Sequence, residues 1–214
     1  IYAFFHMRYR NLKSIQQLRV QIASDLHDEV GGMLTRITIF SDSVLSDYHA
    51  LSLIKGKLEK IAALSREATS SMSDILWTID ARNDYSDTLA ERMRGYMEDI
   101  FLPAGIELTF DISPASQKPH RIPAKLRQQL YRIFKEAVHN ILKHASATKA
   151  KLTYHYDSHL FLLRIENNGV DHNAASSISG QGLKNMEMRA RKIGARLSVS
   201  SSDGMFIISV ESRY

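Results

Sequence analysis

His27 stands directly before Asp28 in the run Leu26-His27-Asp28-Glu29-Val30-Gly31-Gly32. A neutral imidazole is a nucleophile that can attack phosphorus, and an adjacent carboxylate can hold the ring in its reactive tautomer. The chain has nine histidines, however, and a helical histidine beside an acid is most often a solvated pair. Further along, Glu136, Asn140, Lys143 and His144 follow one another at spacings of four, three and four, which places them on one face of a helix. Spacing alone describes a solvated polar face opposite an apolar stripe equally well. Ile165-Glu166-Asn167-Asn168-Gly169 ends an apolar alternation in a polar loop. Gly180-Gln181-Gly182-Leu183 then opens an amphipathic stretch after the small, polar run 173–179. Glycines at a helix start let backbone N–H groups approach phosphates, although a lone G-x-G also marks ordinary helix starts.

Two kinds of element must position these residues. All four prolines fall within residues 103–123, and residues 1–102 contain four glycines and no proline. In that first half apolar residues recur at 15, 18, 22, 26, 30, 33, 37, 40 and 44, the seam of a coiled-coil-type helix. A second seam runs through Ile54, Leu58, Ile61, Ser65, Ala68, Met72, Ile75 and Ile79, with a turn expected at residues 46–50. Leu26 and Val30 belong to the first seam, so His27 should project beside it toward solvent. Two long seams joined by a short turn form a helical hairpin. A single hairpin cannot cover both stripes, so two chains are expected to pair into a four-helix bundle. Between Ile22 and Met33 the steps of four, four and three form an 11-residue unit that relaxes the supercoil, and Gly31-Gly32 softens the same place. A bending point is expected there. Downstream, Lys149–Tyr156, Leu160–Glu166, Arg196–Ser201 and Met205–Val210 alternate as strands, with helices at about 123–145 and 182–193. Ile193-Gly194-Ala195 and Asp203-Gly204-Met205 are read as strand turns.

Composition narrows the function. With 214 residues, 44% hydrophobic and 24% charged, the chain can build a core. It has no cysteine, which excludes disulfide and thiolate chemistry and suits a reducing compartment. The net charge of +5 is concentrated early: residues 1–24 hold Arg8, Arg10, Lys13 and Arg19 and no acid. The opening Ile1-Tyr2-Ala3-Phe4-Phe5 is too short to span a bilayer. It reads either as the inner end of a membrane helix followed by positive-inside residues or as a frayed helix start. The remaining charge is mixed and lacks basic–aromatic interleaving, so nucleic-acid binding is not expected.

Residues Arg19 to Gly31, with His27-Asp28 at their centre, closely resemble the phosphoacceptor helix of sensor histidine kinases of the nitrate-sensor and thermosensor type. Glu136 to Ala145 is very similar to the asparagine box of the GHKL-type ATP-binding domain. The resemblance covers about residues 15–210, with the motifs in the family's order. It implies that His27 accepts the γ-phosphoryl group of ATP and that Asp28 is its base or orienter. It further implies that Asn140 ligates Mg²⁺ with help from Glu136, that Lys143 and His144 contact phosphate, and that Gly180, Gly182 and Leu183 belong to a mobile lid over the triphosphate. At the adenine position the family has Asp-x-Gly, whereas this chain has Asn167 and Gly169. An asparagine can accept and donate, so Asn167→Asp is expected to keep or raise ATP affinity. The following glycine of the family is replaced by Asp171. Many relatives carry a glutamine five residues after the histidine for dephosphorylating the partner. Gly32 occupies that place, so kinase rather than phosphatase activity is expected.

The resulting expectation is an α plus α/β protein: a helical hairpin forming a dimeric four-helix bundle, followed by an α/β sandwich ATP-binding domain of GHKL type. Residues 1–14 would start a juxtamembrane signalling helix, 15–82 would form the dimerisation and phosphotransfer hairpin, and 83–214 would form the catalytic domain. The resemblance implies ATP and Mg²⁺ as cofactors. It implies a homodimer, a response-regulator receiver domain as partner, and membrane attachment through a preceding segment, with this region on the cytoplasmic side of an inner membrane. The alternative is a pseudokinase or nucleotide-sensing dimeric scaffold whose adenine pocket has drifted.

Overall fold

The computed structural model describes residues 30–46, 51–113, 120–157, 160–169, 181–202 and 204–213. The chain divides into two compact units, Ile1–Ile79 and Asp80–Tyr214.

In the first unit, α1 (Gly32–Ser46) packs against α2 (Leu51–Ile79) as an antiparallel hairpin. A π-helical turn at Val30 and Gly31 leads into α1, at the end of the segment where the seam loses its heptad step. Such turns add a residue to the helical repeat and bend the axis. The first seam holds through its described part: Val30, Met33, Ile37, Phe40 and Val44 are half-buried, while Leu34 and Ile39 are exposed. The hairpin is pinned by Lys57, which donates to the Ser43 carbonyl at 3.2 Å, and by Lys60 over the Phe40 ring at 5.4 Å. Within one chain the second seam is only partly covered. Leu64, Ala68, Ile75 and Thr78 form the buried row, whereas Leu58, Ser65 and Met72 are exposed, as is Leu76 outside the seam. The 3.6-residue period draws a wide apolar stripe, and packing within one chain uses only part of it.

The second unit is a two-layer α/β sandwich. After a 3-10 turn (Ala81–Asn83) come α3 (Ser86–Phe101), β1 (Glu107–Ser113), α4 (Ala124–His144), β2 (Lys149–Tyr156), β3 (Leu160–Asn168), α5 (Gln181–Lys192), β4 (Arg196–Ser202) and β5 (Met205–Arg213). The strands form one mixed sheet in the order β1-β2-β3-β5-β4. β1 and β2 are parallel, joined across α4, and all other pairs are antiparallel. The three helices cover one face. Phe161, Leu163, Ile165 and Asn167 form the inward row of β3, opposite Leu152 and Tyr154 of β2 and Ile208 and Val210 of β5.

α3 buries Leu89, Ala90, Met93, Met97 and Phe101 at helical spacing. Its Tyr96 meets Tyr131 and Phe134 of α4 edge-on, with centroids 6.3 and 5.8 Å apart. The unit's core is dense here: Leu130, Ile133 and Phe134 are fully buried, each stabilising by about 1.5–3 kcal/mol relative to exposure. Arg127 is also fully buried. Its guanidinium donates to the Asn83 carbonyl at 2.6 Å and pairs with Asp84 at 2.8 Å, tying the start of α4 to the chain before α3. Among the described residues, no helix is long and apolar enough to cross a membrane.

Candidate nucleotide site

α4 is the spine of the site. Pro123 precedes its first turn, where no N–H partner is needed, and the apolar positions 126, 130, 133, 134, 137, 138 and 141 anchor it against the sheet. That anchoring turns Glu136 and Asn140 toward the helix flank, where both are half-buried, and leaves Lys143 exposed. The helix ends at His144, and its C-cap Ala145 has an extended backbone (φ −112°, ψ 136°) that turns the chain back toward β2.

The end of β3 is fastened to that turn. Gly169 has φ +81°, and a Cβ there would overlap the Ser146 carbonyl oxygen and lie 2.8 Å from the Ala147 nitrogen. Only glycine tolerates both the left-handed backbone and the contact. The Gly169 carbonyl accepts from the Ser146 N–H at 3.2 Å. Asn168 completes the joint: its Oδ1 accepts from the Thr148 and Lys149 N–H groups at 2.9 and 2.8 Å, and its Nδ2 donates to Thr148 Oγ1 at 2.9 Å. Asn168 was not singled out in the sequence. A polar pair before a glycine reads as loop, and nothing in the chain says which backbone its amide will meet.

β3 runs two residues beyond the expected end at Glu166 and includes Asn167 and Asn168. Asn167 therefore lies in a strand and not in a loop. It is the last member of the inward row, 1% exposed, with Nδ2 donating to the Asn168 carbonyl at 2.8 Å. Register decides this: Asn167 pairs with Ala150 and Phe206, so two neighbouring strands extend alongside it. A buried amide at a strand end has both a donor and an acceptor to offer.

α5 supplies the third side and packs along α4. Its second residue, Gly182, lies against the Glu136 carboxylate. A Cβ at that position would collide with Glu136 Oε1 and come within 3.2 Å of its Cδ. Gly182 and Leu183 are half-buried, and Met186 and Ala190 dock the helix. Gly182 thus meets Glu136 on the flank of α4, and the Asn168–Gly169 strand end is fastened to residues 146–149 just after that helix. His144 closes α4, and its side chain is outside the described residues, as are Gly180, Asp171 and, in the other unit, His27 and Asp28. Gly32, at the position where a glutamine is common, is the exposed first residue of α1.

The donor chemistry fits a hard divalent cation. Asn140 offers an amide oxygen and Glu136 a carboxylate one turn apart on a fixed helix, and oxygen ligands of this type suit Mg²⁺.

Residues 19–84 match the family model described as "Histidine kinase". The sensor protein VraS of Staphylococcus saprophyticus is 24% identical over 190 residues, covering 88% of this chain and 53% of the relative. The sensor histidine kinase YxjM of Bacillus subtilis is 26% identical over 193 residues, covering 88% of this chain and 45% of the relative. The chain thus spans about half the length of the curated relatives it matches. Among solved structures, the fold is similar to the histidine kinase AdeS of Acinetobacter baumannii (TM-score 0.54, 15% identity, 87% of this chain and 97% of the other). It is also similar to the histidine kinase domain of a blue-light activated kinase from Erythrobacter litoralis (TM-score 0.54, 15% identity, 93% of each). A helical unit that carries the histidine kinase match, followed by a five-stranded mixed α/β sandwich, makes this chain similar in sequence and fold to the catalytic core of sensor histidine kinases.

Proposed function

We propose that the chain phosphorylates itself on His27 at the expense of Mg·ATP and passes the phosphoryl group to an aspartate of a response-regulator receiver. The observation that carries this reading is the contact of the Gly182 helix start with Glu136 of the asparagine-box helix, beside the fastening of the Asn168–Gly169 strand end to residues 146–149 just after that helix. A merely solvated polar face on α4 would not need a bare residue more than forty positions later in the chain to make room for Glu136.

In this reading Asn167 offers its buried amide to the adenine edge, and Asn140 with Glu136 holds the metal. Lys143 and His144 face the phosphates, and residues 180–183 belong to the lid. Bound Mg²⁺ would neutralise triphosphate charge, the main requirement of phosphoryl transfer alongside positioning. The His27 ring nitrogen attacks the γ-phosphorus, the bond to the ADP oxygen breaks, and Asp28 orients the ring and takes its proton. The exposed Leu58, Met72 and Leu76 on α2 and Leu34 and Ile39 on α1 support pairing of two hairpins into a four-helix bundle. Membrane attachment through a preceding segment and a cytoplasmic position follow from the same reading. Among the described residues no structural observation favours the pseudokinase alternative.

Incubation with γ-labelled ATP tests the proposal. Label that is stable to alkali, labile to acid and lost in His27→Gln is the expected result. Nucleotide binding without label transfer would refute the kinase assignment, and full labelling of Asn140→Ala would refute the metal assignment.

A further inference from the structure

The sequence gives one reason for a glycine at 182, namely that a bare backbone lets phosphates approach. The structure gives another. The space that a Cβ would fill at 182 is taken by the Glu136 carboxylate, which reaches from α4 to the first turn of α5. The first turn of α5 has no acidic residue of its own, although its N–H groups have no acceptor within the helix. A carboxylate near such an end is favoured by the helix dipole. Glu136 itself stands one turn before Asn140, on a helix locked by Phe134, Ala137, Val138 and Ile141. Its backbone has no freedom to adjust, so its carboxylate position depends on what the facing residue leaves open.

We propose that Gly182 is a positioning residue for Glu136: the absent side chain at 182 sets where the Glu136 carboxylate rests, and so sets the metal requirement of nucleotide binding. This inference rests on the proposed Mg·ATP function and deepens it. The atom that an alanine at 182 would displace is the far end of a flexible side chain, not backbone. Gly182→Ala should therefore fold normally and act through Glu136 alone. A glycine kept only for phosphate approach would behave differently, because adding a methyl there would weaken nucleotide binding whether or not metal is present.

The test is a double-substitution cycle on the full chain, read as binding of a fluorescent ATP analogue at increasing Mg²⁺ and again in excess chelator. Gly182→Ala is expected to raise the Mg²⁺ concentration for half-maximal binding about tenfold, the usual effect of disturbing a group that orients a metal ligand. Any loss of metal-free affinity should be smaller than the loss at Mg²⁺ that saturates the wild type. Glu136→Gln keeps the shape and removes the charge, so it should raise the midpoint similarly, and adding Gly182→Ala to it should change nothing more. An unchanged midpoint in Gly182→Ala, an equal loss of metal-free affinity, or multiplying effects in the double variant would each overturn the inference while leaving the ATP assignment standing. Wild-type protein that binds no nucleotide would overturn both.

Discussion

Replacing Asn167 by aspartate exchanges an NH2 group for an oxygen at a residue that is 1% exposed. The amide nitrogen that donates to the Asn168 carbonyl at 2.8 Å becomes an oxygen facing an oxygen. Leaving a buried acceptor without its donor costs about 1–3 kcal/mol. The new carboxylate is also desolvated, and desolvation disfavours its charged form and raises its pKa above the ordinary aspartate range. When protonated, it can donate to the Asn168 carbonyl as the amide did. The folded-state pKa of the variant thus exceeds the unfolded one. Its destabilisation is absent below the unfolded value, grows as pH rises through the interval between the two, and is complete above the folded value. At pH 7 the summed cost is roughly 2–4 kcal/mol, a drop in Tm of about 5–15 °C for a unit of this size. Calorimetry at pH 7 and near pH 4, with circular dichroism to follow the sheet, measures it. An equal drop at both pH values would show that charge burial is not the cause, and no drop at pH 7 would refute the buried-amide geometry. ATP affinity of the folded variant is a separate quantity, and an aspartate there is still expected to bind at least as well as asparagine.

Other substitutions probe the remaining joints. Gly169→Ala combines a left-handed backbone with a clash against the Ser146 carbonyl and should destabilise the α/β unit by about 3 kcal/mol in urea unfolding. Gly194→Ala, at φ +67° with open space around it, should cost about 1 kcal/mol, and equal losses would show that close approach at 169 is unimportant. Asp80 accepts from the Arg82 side chain at 2.9–3.0 Å and from its backbone N–H at 2.9 Å, which holds its carboxyl down at about 2. Its depressed pKa contributes stability present above the ordinary aspartate value and lost as pH falls toward 2. Carboxyl NMR titration should find this low midpoint and see it return to the usual range in Arg82→Ala; an ordinary midpoint in the wild type would contradict the pairing. If the exposed α2 face is the dimer surface, Leu58→Asp or Met72→Asp should raise the dimer dissociation constant about tenfold or more in light scattering. A wild-type chain that stays monomeric would remove that surface from the proposal.

The elements were legible where a single period ruled. β2 falls where its alternation ends, α4 and α5 lie within a residue or so of their expected bounds, and the first seam is half-buried throughout its described part. Periodicity marks a stripe wider than one contact: packing within one chain buries Leu64, Ala68 and Ile75 and leaves Leu58 and Met72 of the same helix exposed. The end of β3 was misread because Glu-Asn-Asn-Gly has the composition of a loop, while hydrogen bonding from β2 and β5 on both sides holds those residues in the sheet.

The sequence by itself determined the residue types that can do chemistry, their order, and the switch from helical to alternating pattern, because these depend on local spacing. Tertiary structure alone decided which of them touch. Asn168 binds a loop twenty residues away in sequence, Gly169 rests on the Ser146 carbonyl, and Gly182 is bare where Glu136 arrives from a helix more than forty residues earlier. Such contacts depend on strand register and helix packing, which sum over the whole core, and no local window of the chain carries them.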